Sequence, residues 1–584
     1  MKSNFNKTPY IPVKKGHNCH QRWEQIGVEI QGALENHNNK KKIVVVECYH
    51  GVSEKEVTEG LATHLKPNFF IHANEAYKAE DEISKMVFPD VTDDRIFGRI
   101  TKLTLDQYIN DDALVKIRKK INDSSDGTIV IIGIGASIIP ENYDLLVYAD
   151  MARWEIQMRM RRQEVNSIGL SNSSIDWMRL YKQGYFADWR VCDQLKKELL
   201  TKMDFVLDTN IKDQPKMITG EAMLDGLEQA LAQPFSVVPF FDPGPWGGQW
   251  MKKFCGLDPK EDNYAWCFNC VPEENSLLLE VDDVMVEIPS INLVFYAPER
   301  LLGQHVFNRF GAEFPIRFDF LDTMEGGNLS LQVHPLESYI QEHFGMSYTQ
   351  DESYYILDAG KDAIVYLGLK ENIDKDEMIN ELRSSQNDCQ KVFQAEKYVE
   401  TWPVKKHDHV LIPAGTVHCS GKDSMVLEIS ATPYIFTFKL WDWDRLGLDG
   451  KPRPINIDHG EKVIQWNRTT NWTKYNLVDR VEKINEGDGW YEEKTGLHEL
   501  QFIETRRHWF SKAVTHKTEG TVNVLCLVDG DEAIVESPTS KFEPFQLHYA
   551  ETFVVPASVT EYTVRPFGES EGKQIATLKA FVRS

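Results

Sequence analysis

Gln332-Val333-His334-Pro335, then Glu352, then Pro413-Ala414-Gly415-Thr416-Val417-His418 are the stretches on which the reading of this chain turns. A strand alternates its side chains, so Gln332 and His334 share a face, and Pro335 ends that strand just past the histidine. Glu352 opens a second hydrophobic run, and His418 follows a Pro-Ala-Gly turn into a third. Two imidazoles, one carboxylate and one amide oxygen form a mixed N/O set that can hold a divalent metal while leaving coordination positions open, as a catalytic site requires.

The texture around these motifs is all-β. From about residue 236 onward, short β-branched and aromatic runs alternate with Gly, Pro and Asp turns, the pattern of sandwiches and barrels. One helical interruption is expected at Asp374 to Ser384, and the Pro/Gly-rich stretch FFDPGPWGGQW (Phe240 to Trp250) marks the beginning of this region. A weak internal repeat runs through it. SYYILDAGKDAIVYL (Ser353 to Leu367) resembles VNVLCLVDGDEAIVES (Val522 to Ser537), and HDHVLIPAGTVH (His407 to His418) resembles YAETFVVPASVTEY (Tyr549 to Tyr562). In that alignment Pro413 matches Pro556 but His418 falls on Glu561, so one copy carries the metal motif and the other lacks it.

Residues 41 to about 215 read differently. Lys42 to Glu47, Gly127 to Gly133, Leu145 to Tyr148 and Phe205 to Asp208 are strand candidates. Helical patterns at Asp150 to Arg162 and Trp189 to Met203 lie between them, which predicts a parallel α/β sheet. At 584 residues the chain has room for three or four domains at roughly 150 residues each. The expected division is a lead segment (1–40), an α/β domain (41–235), a metal-binding β domain (236–460) and a second β domain without metal ligands (461–584).

Bulk properties narrow the function. A formal charge of −24 with no long basic run argues against nucleic acid as a partner. No apolar stretch reaches the ~20 residues that cross a bilayer, which argues against a membrane role. The polar N-terminus does not read as a signal peptide. Nine scattered cysteines suit a reducing compartment, so the cytoplasm is the expected location. Cys267 and Cys270 form a lone CxxC, which reads as two core thiols on a strand.

PWGG (Pro245 to Gly248), LSLQVHP (Leu329 to Pro335), DESYYIL (Asp351 to Leu357), IPAGTVH (Ile412 to His418), LEI (Leu427 to Ile429) and FKLWDWDRLGLDGKPRPINI (Phe438 to Ile457) occur in this order. Together they resemble the type I mannose-6-phosphate isomerases, zinc enzymes built from two cupin (jelly-roll) barrels, over residues ~240–584. The resemblance implies one Zn2+ held by Gln332, His334, Glu352 and His418. It implies a sugar-phosphate substrate, with mannose 6-phosphate and fructose 6-phosphate interconverted. Three positions depart from the family. Asp319 and Gln350 stand where lysines are usual, and Lys439 stands in place of the active-site arginine, keeping the charge but not the bidentate fork.

Aldose–ketose isomerisation moves a proton between C1 and C2 through an enediolate, and a Lewis acid stabilises the developing charge on oxygen. Lys439, Arg445 and Arg453 are the candidate catalytic and anion-stabilising residues, with Arg317 a further candidate for the phosphate. His407, Asp408 and Lys405 read as ordinary turn polarity, and WDWD (Trp441 to Asp444) as aromatic packing or a sugar platform. Two alternatives stay open: a metal-containing sugar-phosphate-binding regulator without catalysis, and an isomerase of a different sugar.

After the strand Ile43 to Val46, a phosphate loop would read GxxxxGK[ST]. Here Val46 replaces the first glycine and Val52 the lysine, while Gly51 and Ser53 fit. With YADMARWEIQMRMRRQ (Tyr148 to Gln163) and FVLDTN (Phe205 to Asn210), the region resembles a degenerate P-loop domain of the uridine-kinase type. Arg153, Arg159, Arg161 and Arg162 read either as its lid helix or as a solvated helix face. The resemblance makes a nucleotide or other ligand the candidate partner there, without ATP hydrolysis.

Overall fold

The computed structural model describes every residue except 1, 2, 15, 388–390, 432–435, 448, 449, 451, 452, 497 and 584. Leu448, Asp449, Lys451 and Pro452 of the FKLWDWDRLGLDGKPRPINI stretch therefore lie outside the described residues. No described helix is long and apolar enough to cross a membrane. The chain forms two compact units that interleave along the sequence. One comprises Met1–Pro9, Leu231–Pro272 and Ala297–Ser584, and the other Tyr10–Ala230 and Glu273–Tyr296.

The α/β unit is built on a seven-stranded sheet. Lys41–Cys48 is the middle one of its five parallel strands, flanked by Gly127–Gly133 on one side and Leu145–Asp150 on the other. Phe69–His72 and Phe205–Asp208 extend the parallel region outward, and Lys216–Thr219 and His20–Gln21 close one edge antiparallel. Counted along the chain, the five parallel strands run 2-3-1-4-5 across the sheet. Ile43 to Val46 is an unbroken apolar run within this strand because an interior parallel strand is covered on both faces. Val44 and Val46 pack with Ile26 and Ile30 of the helix Arg22–Glu35 and Val57 and Leu61 of the helix Glu54–Leu65.

The segment Glu273–Tyr296 returns to this unit because its hairpin, Ser276–Val281 with Val284–Pro289, takes Tyr10–Pro12 as a parallel third strand. A buried ion pair ties this returning segment to the sheet. The Lys196 ammonium, with no exposed side-chain surface, donates to Asp150 Oδ1 (2.8 Å) and Oδ2 (3.0 Å) and to Asn292 Oδ1 (3.2 Å).

The other unit contains two sandwiches in tandem. The first pairs a six-stranded with a five-stranded antiparallel sheet, the second a six-stranded with a four-stranded one. The two sandwiches repeat one strand order. Glu352–Ala359, Ile364–Leu369, His409–Ile412 and His418–Ser420 of the first correspond to Asn523–Asp529, Glu532–Glu536, Thr552–Val555 and Glu561–Pro566 of the second. A helix lies at Lys375–Asn387 as expected, but it is not alone: Glu337–Phe344, Ile457–Val463 and Thr470–Asn476 also interrupt the β region, where short helices fill the connections between strands. Cys267 and Cys270 are buried on the strand Trp266–Cys270 as free thiols.

Leaving one partner of a buried ion pair costs more than the pair itself supplies, about 3–5 kcal/mol. Lys196→Met is expected to destabilise the α/β unit by about that amount, and Lys196→Met with Asp150→Leu to recover most of it. Guanidinium denaturation of the single and double variants checks this.

Candidate metal centre

The site spans the interior of the first sandwich. Leu331–Val333 lies between His418–Ser420 and Phe438–Trp441, and its register sets Gln332 opposite both His418 and Lys439. Directly opposed residues in a sheet project to the same face, so these three form a row, with His334 just past the strand end. Glu352 comes from the other sheet, where it opens Glu352–Ala359 between His409–Ile412 and Ser424–Ser430. Side chains far apart in sequence thus meet because the two sheets face each other.

His334, Glu352 and His418 have no accessible side-chain surface, and their ligand-type atoms all lie within 4.8 Å of one another. His334 Nε2 is 3.0 Å from Glu352 Oε2, and His418 Nε2 is 2.8 Å from Glu352 Oε1. The far side of each ring is committed: His334 Nδ1 lies 2.8 Å from the Phe436 carbonyl and His418 Nδ1 2.9 Å from the Thr416 carbonyl. A carbonyl only accepts, so each Nδ1 carries the proton and each neutral Nε2 presents a lone pair. Two lone pairs and a carboxylate therefore converge in a dry space. His334 Nε2 and Glu352 Oε1 make no aligned hydrogen bond despite their burial. The donor set fits a divalent cation that takes nitrogen and oxygen ligands. Gln332 adds an amide 3.3 Å from His418 Nε2, and with the amide turned its Oε1 faces the same point.

The electrostatics agree. Burial opposes ionisation of Glu352, but the two imidazoles hold its carboxyl well below the usual range. Burial also opposes charge on His334, yet the Glu352 carboxylate raises its affinity for a proton. The cluster attracts positive charge.

The supporting contacts come from residues other than the candidate ligands. Gln350 Nε2 donates to Glu352 Oε2 (2.9 Å), and its Oε1 accepts from the Phe436 amide (3.2 Å). Asp351 Oδ1 accepts from Ala414 N (2.8 Å). The Gly415 amide bonds the His334 carbonyl (3.0 Å). Gly415 has φ +88°, and a Cβ there would lie 2.7–3.0 Å from Gln465, Leu336 and the Val463 carbonyl, so glycine is required. Arg468, buried, donates to the Pro413 and Ala414 carbonyls (2.7 Å each) and to Thr416 Oγ1, clamping the turn that delivers His418.

Beside Glu352 lies a second acidic group, the glutamate of the LEI motif, to which the sequence reading assigned no role. Glu428 sits opposite both Tyr354 and Asp319, and Arg317 opposite Ser430, so Glu428, Asp319 and Arg317 share the inner face with Glu352. Burial, then the charges of Asp319 and Glu352, push the Glu428 carboxyl well above its ordinary range. Burial likewise raises Asp319, against the pull of Arg317. The signal that could have found Glu428 is its place two residues before Ser430 on an otherwise apolar strand, SMVLEIS.

Among the other candidates, Lys439 is half-buried beside Gln332. Arg445 and Arg453 converge instead on Asp442, at 2.8 Å each, and Arg453 Nη1 also reaches Ser330 Oγ (3.2 Å). His407 bonds the Tyr355 hydroxyl (2.9 Å) and lies 3.6 Å from Asp529 of the second sandwich, while Asp408 caps its own turn through Lys405 N.

Residues 22–232 match a family described as "Domain of unknown function (DUF8485)". The chain is 26% identical over 234 residues to "Mannose-6-phosphate isomerase ManA" of Bacillus subtilis (strain 168), covering 40% of this chain and 68% of that protein. It is 29% identical over 231 residues to "Mannose-6-phosphate isomerase" of Streptococcus mutans, covering 39% of this chain and 66% of that protein. The matches thus span about two thirds of those relatives' length. Among solved structures, the mannose 6-phosphate isomerase of Bacillus subtilis superposes with a TM-score of 0.48 at 17% identity, covering 60% of this chain and 99% of that one.

Outer-sphere partners of metal ligands typically set affinity by about 10–100-fold. Arg468→Met is expected to weaken divalent-metal binding by about that factor, with Arg468→Lys restoring part of it. Competition against a chromophoric chelator, with circular dichroism as the folding control, measures both.

Proposed function

We propose that the chain is a metal-dependent sugar-phosphate isomerase whose active site is the first sandwich, acting on mannose 6-phosphate and fructose 6-phosphate. The observation that carries this reading is the convergence of the His334 and His418 Nε2 lone pairs on Glu352, supported by the sequence similarity to mannose-6-phosphate isomerases. Gln332, His334, Glu352 and His418 would hold the ion, and Zn2+ suits their nitrogen-rich donor set. When bound, it supplies Lewis-acid stabilisation of charge developing on the sugar's C1 and C2 oxygens.

The remaining chemistry belongs to the chain. One negative ligand, Glu352, leaves the centre net positive, which favours an enediolate. Lys439, on the same face as Gln332, adds a cation beside it. Glu428 is the candidate proton carrier, because it shares the inner face with Glu352 and its burial and acidic neighbours raise its affinity for a proton. Arg445 and Arg453 share the one carboxylate of Asp442, so the trio keeps a net positive charge that a phosphate group can take up.

A regulator that binds a sugar phosphate without turning it over is the second reading. It is favoured by Gln350 and Asp319, since no ammonium enters the site at either position: Gln350 is bonded to Glu352, and Asp319 lies against Glu428. The α/β unit fits a P-loop-kinase-like scaffold without turnover, a reading supported by its 2-3-1-4-5 parallel order. Glu47 accepts from the Gly135 (2.6 Å) and Ser137 (2.8 Å) amides, and the buried Arg159 bonds the carbonyls of Gly51 and Thr209. Groups that would meet a phosphate are thereby bonded internally.

A sugar-phosphate panel assayed with and without chelator tests the enzyme reading. Mannose 6-phosphate is expected to turn over only with metal, and His334→Ala and His418→Ala each to lower kcat/KM by at least about 10³-fold together with metal loss. Glu428→Gln is expected to keep the metal and lose C2 proton exchange with D2O by NMR. Binding without exchange in the unaltered protein establishes the regulator instead, and turnover by metal-free protein overturns the metal-centred account.

A further inference from the structure

The second sandwich lacks the metal motif, yet its interior is not uniformly apolar. Ile503–Phe510 turns Arg506, His508 and Phe510 to one face, and Ile575–Val582 turns Ile575, Thr577 and Lys579 to the same face. The register sets His508 opposite Thr577, and Arg506 opposite Lys579. Across the interior, Val514–Lys517 contributes His516, opposite Tyr562 of Glu561–Pro566. The His508 and His516 ring centroids are 4.4 Å apart, so side chains of the two sheets meet in the middle. One half of this interior is a closed apolar cluster that includes Phe510, Leu525, Leu527 and Ile575. The other half is polar.

That polar half is incompletely bonded. His508 Nδ1, His516 Nε2 and Thr577 Oγ1 are buried without a hydrogen-bond partner. The Lys579 side chain belongs to a residue only 7% exposed, and among the described residues its ammonium forms no hydrogen bond or ion pair. The neighbouring charges are already engaged: Arg506 bonds Glu504 (2.6 Å) and Glu492 (3.3 Å), and Glu492 accepts from His508 Nε2 (3.0 Å). With its Nε2 proton given to Glu492, a neutral His508 offers a lone pair at Nδ1. The Lys579 ammonium has the Phe581 ring 5.5 Å away but no anion bonded to it, and three orphaned polar atoms in a sandwich interior are costly unless something bonds them.

We propose that this polar half of the second sandwich is a distinct ligand site that takes a small protonated oxyanion, the hydrogen-phosphate group of inorganic phosphate or of a phosphate ester. Lys579 Nζ, Thr577 Oγ1 and the His516 Nε2–H donate to its oxygens, and His508 Nδ1 accepts from its P–OH. Those four groups supply the mixed donor and acceptor pattern such a group needs, which a bare carboxylate, accepting only, does not match. A metal cation fits poorly. Lys579 puts a positive charge beside the histidines, and among the described residues the one group of three His, Cys, Asp or Glu close enough to share an ion is His334, Glu352 and His418. Burial pushes Lys579 down to about 8, and an anion in contact with it restores its full charge. Arg506, with about a third of its side chain exposed, marks the open end.

The test uses the full chain and inorganic phosphate. A crystal structure grown with phosphate is expected to show the anion bonded to Lys579 and Thr577. In calorimetric titration, Lys579→Met is expected to lose a phosphate-binding component at least tenfold, while mannose 6-phosphate turnover in the first sandwich is unchanged. Thr577→Val, close in shape, provides the same comparison should Lys579→Met fold poorly. Glycerol phosphate displacing the inorganic anion assigns the site to esters, and failure to displace it assigns free phosphate. Water molecules alone among Lys579, Thr577, His508 and His516 at saturating phosphate, or unchanged phosphate affinity in both variants, overturns the proposal.

Discussion

Two imidazole lone pairs and a carboxylate held face to face in a dry interior form an arrangement that repels itself unless positive charge lies between its members. Much of the first sandwich serves to enforce that arrangement. The Phe436 and Thr416 carbonyls fix which ring nitrogens carry protons, Gln350 fixes the Glu352 carboxylate, and Arg468 with Gly415 fixes the turn before His418. None of these groups touches the point where an ion would sit, yet each removes a conformation in which the ligands could turn away and be solvated.

The same constraint explains why acidic groups can crowd together beside the centre. Glu428 and Asp319 are directly opposed on neighbouring strands, and burial keeps protons on such pairs. In the proposed isomerisation the two features are complementary: a cation at the cluster stabilises charge on oxygen, and a carboxyl with a raised affinity for a proton is placed to carry one.

Duplication gives the two sandwiches similar frames with different interiors. Where the first places His418 at the start of its strand, the second has Glu561 at the aligned position, and its polar residues gather instead around His508, His516 and Lys579. The barrel frame tolerates such change because strand pairing is made by the backbone, whereas the inward side chains are free to differ in chemistry so long as they fill the space and bond one another. In the α/β unit the frame is likewise kept while its strand ends are occupied internally: Glu47 bonds the amides after Gly127–Gly133, and Arg153 bonds Tyr49 and Asp193.

Much of this was legible in the linear chain. The apolar run inside KIVVVE announced a buried strand, strand alternation put Gln332 and His334 on one face, and Glu352 announced itself as the start of a hydrophobic run. The order of the motifs was enough to pick Gln332, His334, Glu352 and His418 as one set; the fold places ligand-type atoms of His334, Glu352 and His418 within 4.8 Å of one another and the Gln332 amide 3.3 Å from His418. Local patterns carry that information because strand periodicity and turn chemistry depend on near neighbours. The division of the chain was not legible in this way: Glu273–Tyr296 joins the α/β unit through pairing with Tyr10–Pro12, more than 260 residues earlier. Nor were the roles of Glu428, Arg468 and Lys579, or the commitment of Arg445 and Arg453 to Asp442. Those depend on register and on which sheets face each other. A shift of one residue in pairing would turn Glu428 and Lys579 to the opposite face, and Arg445, Arg453 and Arg468 lie in loops placed by contacts distant in sequence, so only the tertiary structure decides them.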